Sequence, residues 1–271
     1  LAEAPDGWMT PWQEFRIEPH SINPTDPQSL ELMRELFDEL LPNFNSDLFN
    51  VGCDETWDVG QGKNKDLVEE VGRERVYLDY LLKIYDEVKA RGKTMMFWGD
   101  IVNQHPELIP EIPRDTIALE WWYEDVNQYM EKCKLFADSQ IPFYVCPGTS
   151  SWATISGRTQ NCIANIQSAI EAGLEHGAIG VLNTDWGDMG HWQPLPVSYL
   201  GFAYGAATSW CYEPNKDINL PTVLDTFIFK DKNHIMGQLA YDLGNAYLKP
   251  ELTIFNSNLM FWMYHNSLTE M

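Results

Sequence analysis

The sequence is poor in basic residues and lacks long apolar runs. Only 18 Lys and Arg stand against 40 Asp and Glu, which gives a formal net charge of −22 over 271 residues. A field of that sign repels phosphate backbones and anionic lipid, so nucleic acid and membrane surfaces are poor partners. No apolar run approaches the roughly 20 residues of a membrane helix. We therefore expect an uncharged ligand, although the acidic surplus is equally explained by solubility.

The cysteines are few, and their spacing in the sequence does not indicate pairs. The five residues are Cys53, Cys133, Cys146, Cys162 and Cys211. Their odd number and the lack of C-x-x-C spacing predict neither a zinc site nor a disulfide framework, and we expect no metal or cofactor. Reduced thiols favour a cytosolic setting. The chain opens without Met or a signal peptide, so we expect its native N-terminus to lie upstream, and both compartment and oligomeric state stay open.

Aromatic residues are abundant, with 11 Trp, 12 Tyr and 12 Phe making 13% of the chain. A flat indole ring stacks on the apolar C–H face of a sugar, so the surplus of tryptophan favours a carbohydrate pocket. An aromatic-rich core explains any single Trp as well.

Short apolar runs alternate with amphipathic stretches along most of the chain. After a loop over 1–26, strands are predicted at 47–52, 94–98, 116–122, 142–146 and 178–183. Helices are predicted at 27–41, 66–91, 124–139 and 160–175. Alternating strands and helices of these lengths indicate parallel βαβ units.

The predicted strands end in polar and aromatic residues, as at the catalytic face of a (β/α)₈ TIM barrel. Five units are visible, fewer than the eight that close such a barrel. A doubly wound sheet is the alternative, but no glycine-rich nucleotide loop supports it. Later helices are predicted at 223–229, 234–248 and 254–265. We therefore predict an α/β fold with a partial barrel over residues 1–210 and a helical C-terminal extension over 211–271.

Two adjacent carboxylates, Asp54 and Glu55, follow the first predicted strand in the segment Asn-Val-Gly-Cys-Asp-Glu over 50–55. Acidic side chains at the tip of a buried strand are costly unless they are paired, hydrated or functional. Neighbours on a regular strand point to opposite faces, but Gly52 allows a turn that aims both into one pocket. The pair suits acid/base chemistry on a polar, uncharged substrate. A solvated pair in a loop is the other interpretation.

In the form (His/Asn)-x-Gly-x-Asp-Glu, this segment resembles the motif of family 20 glycoside hydrolases, the β-N-acetylhexosaminidases. The stretches 56–62 and 184–191 are similar to the streptococcal-type N-acetylglucosaminidase branch. The resemblance runs from residue 1 to about 210. In that family the Asp-Glu pair follows the fourth barrel strand, which implies that this chain holds strands four to eight and lacks strands one to three.

The resemblance implies removal of terminal β-linked N-acetylhexosamine by substrate-assisted hydrolysis with retention. Glu55 would be the general acid, with a pKa raised toward neutrality by burial and by the negative Asp54. Asp54 would hold the acetamido N–H and stabilise the oxazolinium ion that forms when the substrate's own carbonyl oxygen attacks. No protein nucleophile is required.

The resemblance also implies sugar-binding residues at other strand ends. Trp98, Trp121 or Trp122, and Trp186 would wall the terminal sugar, and Asp188 would bond its hydroxyls. At the seventh strand the family often carries Tyr-x-Asp, whose hydroxyl contacts the acetamido oxygen. Here Trp152 stands in that register, so an indole N–H would donate instead. Further candidates, each equally explained as structural, are Asp100, Glu120, Arg158 and His191.

Two other functions fit the same residues. A carbohydrate-binding or inactive barrel fragment would keep the aromatic wall without turnover, and an exposed sheet edge at its first strand would favour association. A retaining β-glycosidase with a protein nucleophile would place Asp100 or Glu120 about 5 Å from Glu55.

Overall fold

A computed structural model describes residues 1–4, 21–125 and 128–266 of the chain. Within them, five parallel strands alternate with helices and follow one another in the sheet in chain order. The strands are β1 (Leu48–Asn50), β2 (Thr94–Trp98), β3 (Ile117–Trp121), β4 (Phe143–Cys146) and β5 (Gly180–Val181). The order does not reverse among these described strands, as it must in a doubly wound sheet. The arrangement is that of an incomplete parallel α/β barrel.

Helices follow or precede each of these strands. The α-helices of the described residues are α1 (Pro27–Leu40), α2 (Lys65–Val71), α3 (Arg73–Ala90), α4 (Asp100–Gln104), α5 (Tyr129–Ser139), α6 (Thr159–His176), α7 (Asp188–His191), α8 (Tyr199–Trp210), α9 (Tyr212–Asn215), α10 (Leu220–Val223), α11 (Met236–Gly244) and α12 (Leu259–His265). Short 3₁₀ segments are Leu41–Asn43, Pro106–Glu111, Leu195–Ser198 and Ala246–Leu248, and Leu224–Phe229 is a π-helical turn. None of the described helices combines the length and hydropathy that a bilayer span requires.

The predicted strands and most of the predicted helices are confirmed, although several of these elements are shorter than predicted. Helix α1 begins as the sequence indicates: Asp26 accepts the N–H of Gln28 (3.0 Å), and Pro27 occupies the first helical position. The predicted loop over 1–26 lies mostly outside the described residues. Of the three later helices, the first is the π-helical turn, which follows directly on α10, and the other two, α11 and α12, are shorter than predicted.

The single helix predicted over 66–91 is wrong, because the chain breaks at Gly72. There φ is 90° and ψ is 147°, which is far from helical, and α2 ends as α3 begins. Only glycine adopts such a φ without strain, so this residue both permits and marks the break.

The chain divides into two compact units, the first formed by residues 1–119 and 135–143. In it, β1 pairs with β2 so that Asn50 lies opposite Met96, and β2 pairs with β3. Helix α3 supplies buried Leu78 and Leu81 to the core, and Phe97 of β2 is fully buried. The carboxyl ends of β1 and β2 are thereby held side by side.

The second unit is formed by residues 120–134 and 144–271. In its described part β4 pairs with β5, and α6 packs on α8 around a core that includes Ile166, Leu200 and Leu224. Helix α6 ends at Gly177, whose left-handed backbone (φ 76°, ψ 36°) closes the last turn. The partition into a barrel over 1–210 and an extension over 211–271 stays a prediction.

The cap of α6 gives a stability prediction. Gly177→Ala should lower the free energy of unfolding by about 1 kcal/mol, because a Cβ disfavours the left-handed region. The space around Gly177 is open, so no clash adds to this cost. Gly177→Asn is the matched control and should lose less, since asparagine tolerates that region. Urea denaturation measures both, and equal losses would contradict the backbone explanation.

Candidate active site

The segment after β1 turns sharply through left-handed backbone. Gly52, Cys53 and Glu55 have φ values of 75°, 68° and 48°. Asn50 accepts the N–H of Gly52 (2.9 Å), and the carbonyl of Gly52 accepts the N–H of Trp98 (3.1 Å), which ties the turn to β2. The turn that Gly52 was expected to allow is thus present. Left-handed backbone at non-glycine residues is costly and clusters at functional sites.

Asp100 fixes this turn from the next strand end. Its Oδ2 accepts the backbone N–H of Glu55 at 3.0 Å, and its side chain is buried at the start of α4. The pKa of Asp100 is raised to about 7, mainly by burial; the bond from the Glu55 N–H lowers this pKa, and the charges of Asp54 and Glu55 raise it. Three carboxyl groups therefore lie around one turn.

A cavity of about 380 Å³ adjoins the turn within the first unit. Cys53, Asp54 and Glu55 line it together with Tyr77 and Tyr80. Burial, together with the charges of Asp54 and Asp100, raises the pKa of the Cys53 thiol to about 12. The thiol is therefore neutral, so Cys53 forms part of the cavity wall and does not act as a nucleophile. Neither tyrosine hydroxyl has a hydrogen-bond acceptor among the residues that the structure describes. Asp54 is half-buried and Glu55 is exposed.

The second unit gathers three of the predicted tryptophans around Tyr123. Trp121 stacks on Tyr123 with ring centroids 5.2 Å apart, and Trp152 meets it edge-on at 5.0 Å. The Trp186 indole N–H donates to the Tyr123 hydroxyl at 2.9 Å. Tyr123 was not predicted, although it continues the run of aromatic residues at the end of β3. That run was the signal available in the sequence.

The two candidates Trp121 and Trp122 face different surroundings. Trp122 lies under the ammonium of Lys132 (5.1 Å) and beside Phe255 (5.6 Å), away from the ring of Tyr123. Trp121 packs against Tyr123, and its buried indole nitrogen has no acceptor in the described part of the chain.

Trp152 is fully buried, and its indole N–H donates to Asn256 Oδ1 at 2.9 Å. Donation to an acetamido oxygen, as the sequence register suggests, would require this bond to break. The partner was not foreseeable, because Asn256 lies 104 residues further along the chain.

The remaining candidates differ in burial and in their partners. Trp98 is buried on β2 beside the turn, and Asp188 is exposed at the start of α7. Buried Glu120 pairs with Lys132 at 3.4 Å. His191 is exposed with left-handed backbone. No group of three metal-ligating side chains is found within residues 1–4, 21–125 and 128–266.

Asp185, which the sequence reasoning passed over, is held by hydroxyl groups. Its Oδ1 accepts from Ser151 (2.6 Å), from Ser198 (3.0 Å) and from Thr149. These bonds fix the residue directly before Trp186, so they orient the loop that carries this indole.

The family described as "Glycosyl hydrolase family 20, catalytic domain" matches residues 3–171. The chain therefore belongs to glycosyl hydrolase family 20. The match contains Asp54, Glu55, Asp100 and Trp121, while Trp186 lies beyond its end. No similar sequence was found among curated proteins.

A solved structure shows the same fold at low identity. A chitobiase from Flavobacterium johnsoniae superposes with a TM-score of 0.52 at 14% identity, over 84% of this chain and 34% of that one. A β-N-acetylhexosaminidase from Bacteroides fragilis gives a TM-score of 0.48 at 14% identity, over 65% of this chain and 38% of that one. This chain thus corresponds to little more than a third of the length of either protein.

The raised pKa of Asp100 predicts a pH-dependent stability. An unfolded Asp titrates near pH 4, so between about pH 4 and pH 7 the folded chain holds one more proton, and stability falls as pH rises. Asp100→Asn keeps an acceptor for Glu55 and removes this fall. The free energy of unfolding of Asp100→Asn, compared with that of the unsubstituted chain at the same pH, should therefore rise by up to about 4 kcal/mol between pH 4 and pH 8.

Urea denaturation at both pH values measures this gain. Asp86→Asn, at an exposed position of α3, is the matched control and should show no such change. An Asp100→Asn difference that stays constant with pH would contradict the raised pKa.

Proposed function

We propose that this chain carries the acid/base carboxylates of a glycoside hydrolase that removes terminal β-linked N-acetylhexosamine with retention. The observation that carries the proposal is the turn after β1, where Asp54, Glu55 and Asp100 converge inside the segment that matches the family. Because the chain spans about a third of the chitobiase structure, the activity is proposed for the whole polypeptide that contains it.

Glu55 is the proposed general acid. Its backbone is fixed by Asp100 while its side chain is exposed, so the carboxyl group is accessible to a glycosidic oxygen. It protonates the departing oxygen and then, as the carboxylate, activates the water that completes hydrolysis. The fixed backbone limits the positions that this carboxyl group samples, which favours proton transfer.

Asp54 is the proposed partner of the substrate's acetamido group. Its half-buried carboxylate lines the cavity next to Glu55. It accepts the acetamido N–H and stabilises the positive oxazolinium ion formed when the acetamido oxygen attacks the anomeric carbon. The nucleophile then belongs to the substrate, and the enzyme contributes orientation and charge.

Asp100 is poorly suited to be a protein nucleophile, which disfavours the alternative retaining mechanism. With a pKa of about 7 the buried carboxyl group is substantially protonated at neutral pH, and its Oδ2 is engaged by the Glu55 N–H. A protonated carboxyl is a weak nucleophile. Asp100 therefore acts as a positioning residue for Glu55.

The aromatic cluster around Tyr123 is the proposed sugar wall. Trp121 and Trp186 are partly accessible, while Trp152 supports them from the core. Indole faces stack on the apolar face of a sugar ring. Trp98, Trp122 and Asp188 remain proposed contacts of the sugar.

A pair of nitrophenyl glycosides tests the reaction class. We expect nitrophenol release from the N-acetyl-β-glucosaminide or its galacto epimer and none from the plain β-glucoside, because only the acetamido sugar supplies the internal nucleophile. The assay is run on this chain and on the natural polypeptide that contains it. Release from both kinds of sugar indicates a protein nucleophile. Binding of N-acetylglucosamine without release by either polypeptide supports a carbohydrate-binding protein.

Substitution of the two carboxylates separates their roles. Glu55→Gln should lower kcat by about 10²–10⁴ on poor leaving groups and much less on nitrophenol, since an activated leaving group needs no proton. Asp54→Asn should lower kcat on both, because the cyclic ion loses its counter-charge. Glu69→Gln and Asp86→Asn, at exposed helix positions, are matched controls. Unchanged kcat in both site variants would refute the assignment.

A further inference from the structure

The C-terminal part of the chain contacts the aromatic cluster of the second unit directly. Ser257 Oγ donates to the carbonyl of Ala153 at 2.7 Å, which joins two residues 104 positions apart in the sequence. Phe261 is fully buried and packs in the same core cluster as Tyr123 and Trp152. The match to the family ends at residue 171, so these contacts come from a segment outside it.

Asn256 holds the indole of Trp152 in this cluster. Its Oδ1 accepts the indole N–H of Trp152 at 2.9 Å, and Trp152 is only 1% exposed. The backbone of Asn256 is left-handed, with a φ of 54°. Asparagine adopts this conformation more readily than most residues. The residue type therefore suits both requirements of the position, a short side-chain acceptor and a left-handed backbone.

A buried ion pair fixes Asn256 in turn. Oε1 of Glu124 accepts the backbone N–H of Asn256 at 2.8 Å. Nη1 of Arg158 donates to both carboxylate oxygens of Glu124 at 2.9 Å, and only 3% of Arg158 and 7% of Glu124 are exposed. Movement of this carboxylate would leave a buried charge without its partner, which is costly. The ion pair thus holds the backbone of Asn256 in one position.

The position of the Trp152 ring is passed on to the sugar wall through Tyr123. The two rings meet edge-on at 5.0 Å, and Tyr123 in turn stacks on Trp121 and accepts the indole N–H of Trp186. A Cβ added at Gly148 would lie 2.4 Å from the Trp152 ring and 3.0 Å from Tyr123, so the rings are closely packed there. A shift of Trp152 would therefore displace Tyr123 and the two tryptophans that it contacts.

From these contacts we propose that Asn256 is a positioning residue for the sugar wall, held in place by Glu124 and Arg158. The inference rests on the proposed function, because it requires that Trp121 and Trp186 contact the sugar. None of the three residues is a proposed acid/base group. Loss of the contact from Asn256 should therefore weaken sugar binding and change the chemical step little.

Asn256→Gly in the natural polypeptide that contains this chain tests the inference. Glycine removes the acceptor but adopts the left-handed backbone without strain. We expect the dissociation constant of N-acetylglucosamine and the KM of its nitrophenyl β-glycoside to rise by about fivefold, as for the loss of one neutral hydrogen bond, with kcat little changed. Asn256→Asp keeps an acceptor oxygen and should restore most of the affinity. Asn233→Gly makes the same change at an exposed asparagine and should leave both constants unchanged.

NMR of this chain labelled with ¹⁵N-tryptophan observes the hydrogen bond itself, and Trp152→Phe assigns its signal. Exchange of the Trp152 indole N–H with solvent should become faster in Asn256→Gly, because the proton loses its acceptor. In Asn256→Asp the exchange should stay slow. This measurement does not depend on sugar binding or on activity.

The two measurements together separate the outcomes. Faster exchange in Asn256→Gly with unchanged sugar affinity would overturn the inference and leave the proposed function intact. Slow exchange in Asn256→Asp with affinity as weak as in Asn256→Gly would also overturn it, because the loss would then be unrelated to the hydrogen bond. An unsubstituted polypeptide that neither binds nor hydrolyses the sugar would overturn the proposed function and this inference with it.

Ser257→Ala decides the question if Asn256→Gly does not fold. It removes the hydrogen bond to the carbonyl of Ala153 and leaves the side chain of Asn256 in place. A raised KM with little change in kcat would support a role of this segment in positioning the wall. An unchanged KM would overturn the inference.

Discussion

The candidate site depends on one hydrogen bond, from the backbone N–H of Glu55 to the buried carboxylate of Asp100. It joins the turn after β1 to the start of α4, and it compensates part of the strain of a left-handed glutamate. The bond lowers the pKa of Asp100, but burial outweighs it and the pKa is raised to about 7. Because Asp100 is buried beside two other carboxyl groups, it remains substantially protonated near neutral pH, and the site avoids three full negative charges at one turn.

The second unit uses a different means of orienting its functional side chains. Tyr123 contacts Trp121, Trp152 and Trp186 through stacking, an edge contact and a hydrogen bond to its hydroxyl. Three hydroxyl groups hold Asp185 immediately before the last of these tryptophans. The contacts of Tyr123 come from uncharged groups, and the three hydroxyls that bond Asp185 offset the cost of partly burying its carboxyl group.

Much of the site could be predicted from residues that are close in sequence. The pair Asp54 and Glu55 follows a strand, and Gly52 signals the turn that exposes them. Asp100 could be named only as one of several strand-end acids, because its bond to Glu55 spans 45 residues and depends on the pairing of β1 with β2. Trp152 was assigned a free indole N–H for the same reason: its partner Asn256 is remote in sequence.

The sequence by itself determined the alternation of strands and helices, the aromatic and acidic strand ends and the family motif, since these depend on local periodicity and on neighbouring residues. Only the tertiary structure decided which of Trp121 and Trp122 meets Tyr123, that Asp100 accepts the N–H of Glu55, and that Trp152 donates to Asn256. Each of these is settled by burial and by contacts between distant segments. Contacts between distant segments produce no periodic pattern in the sequence from which they could be predicted.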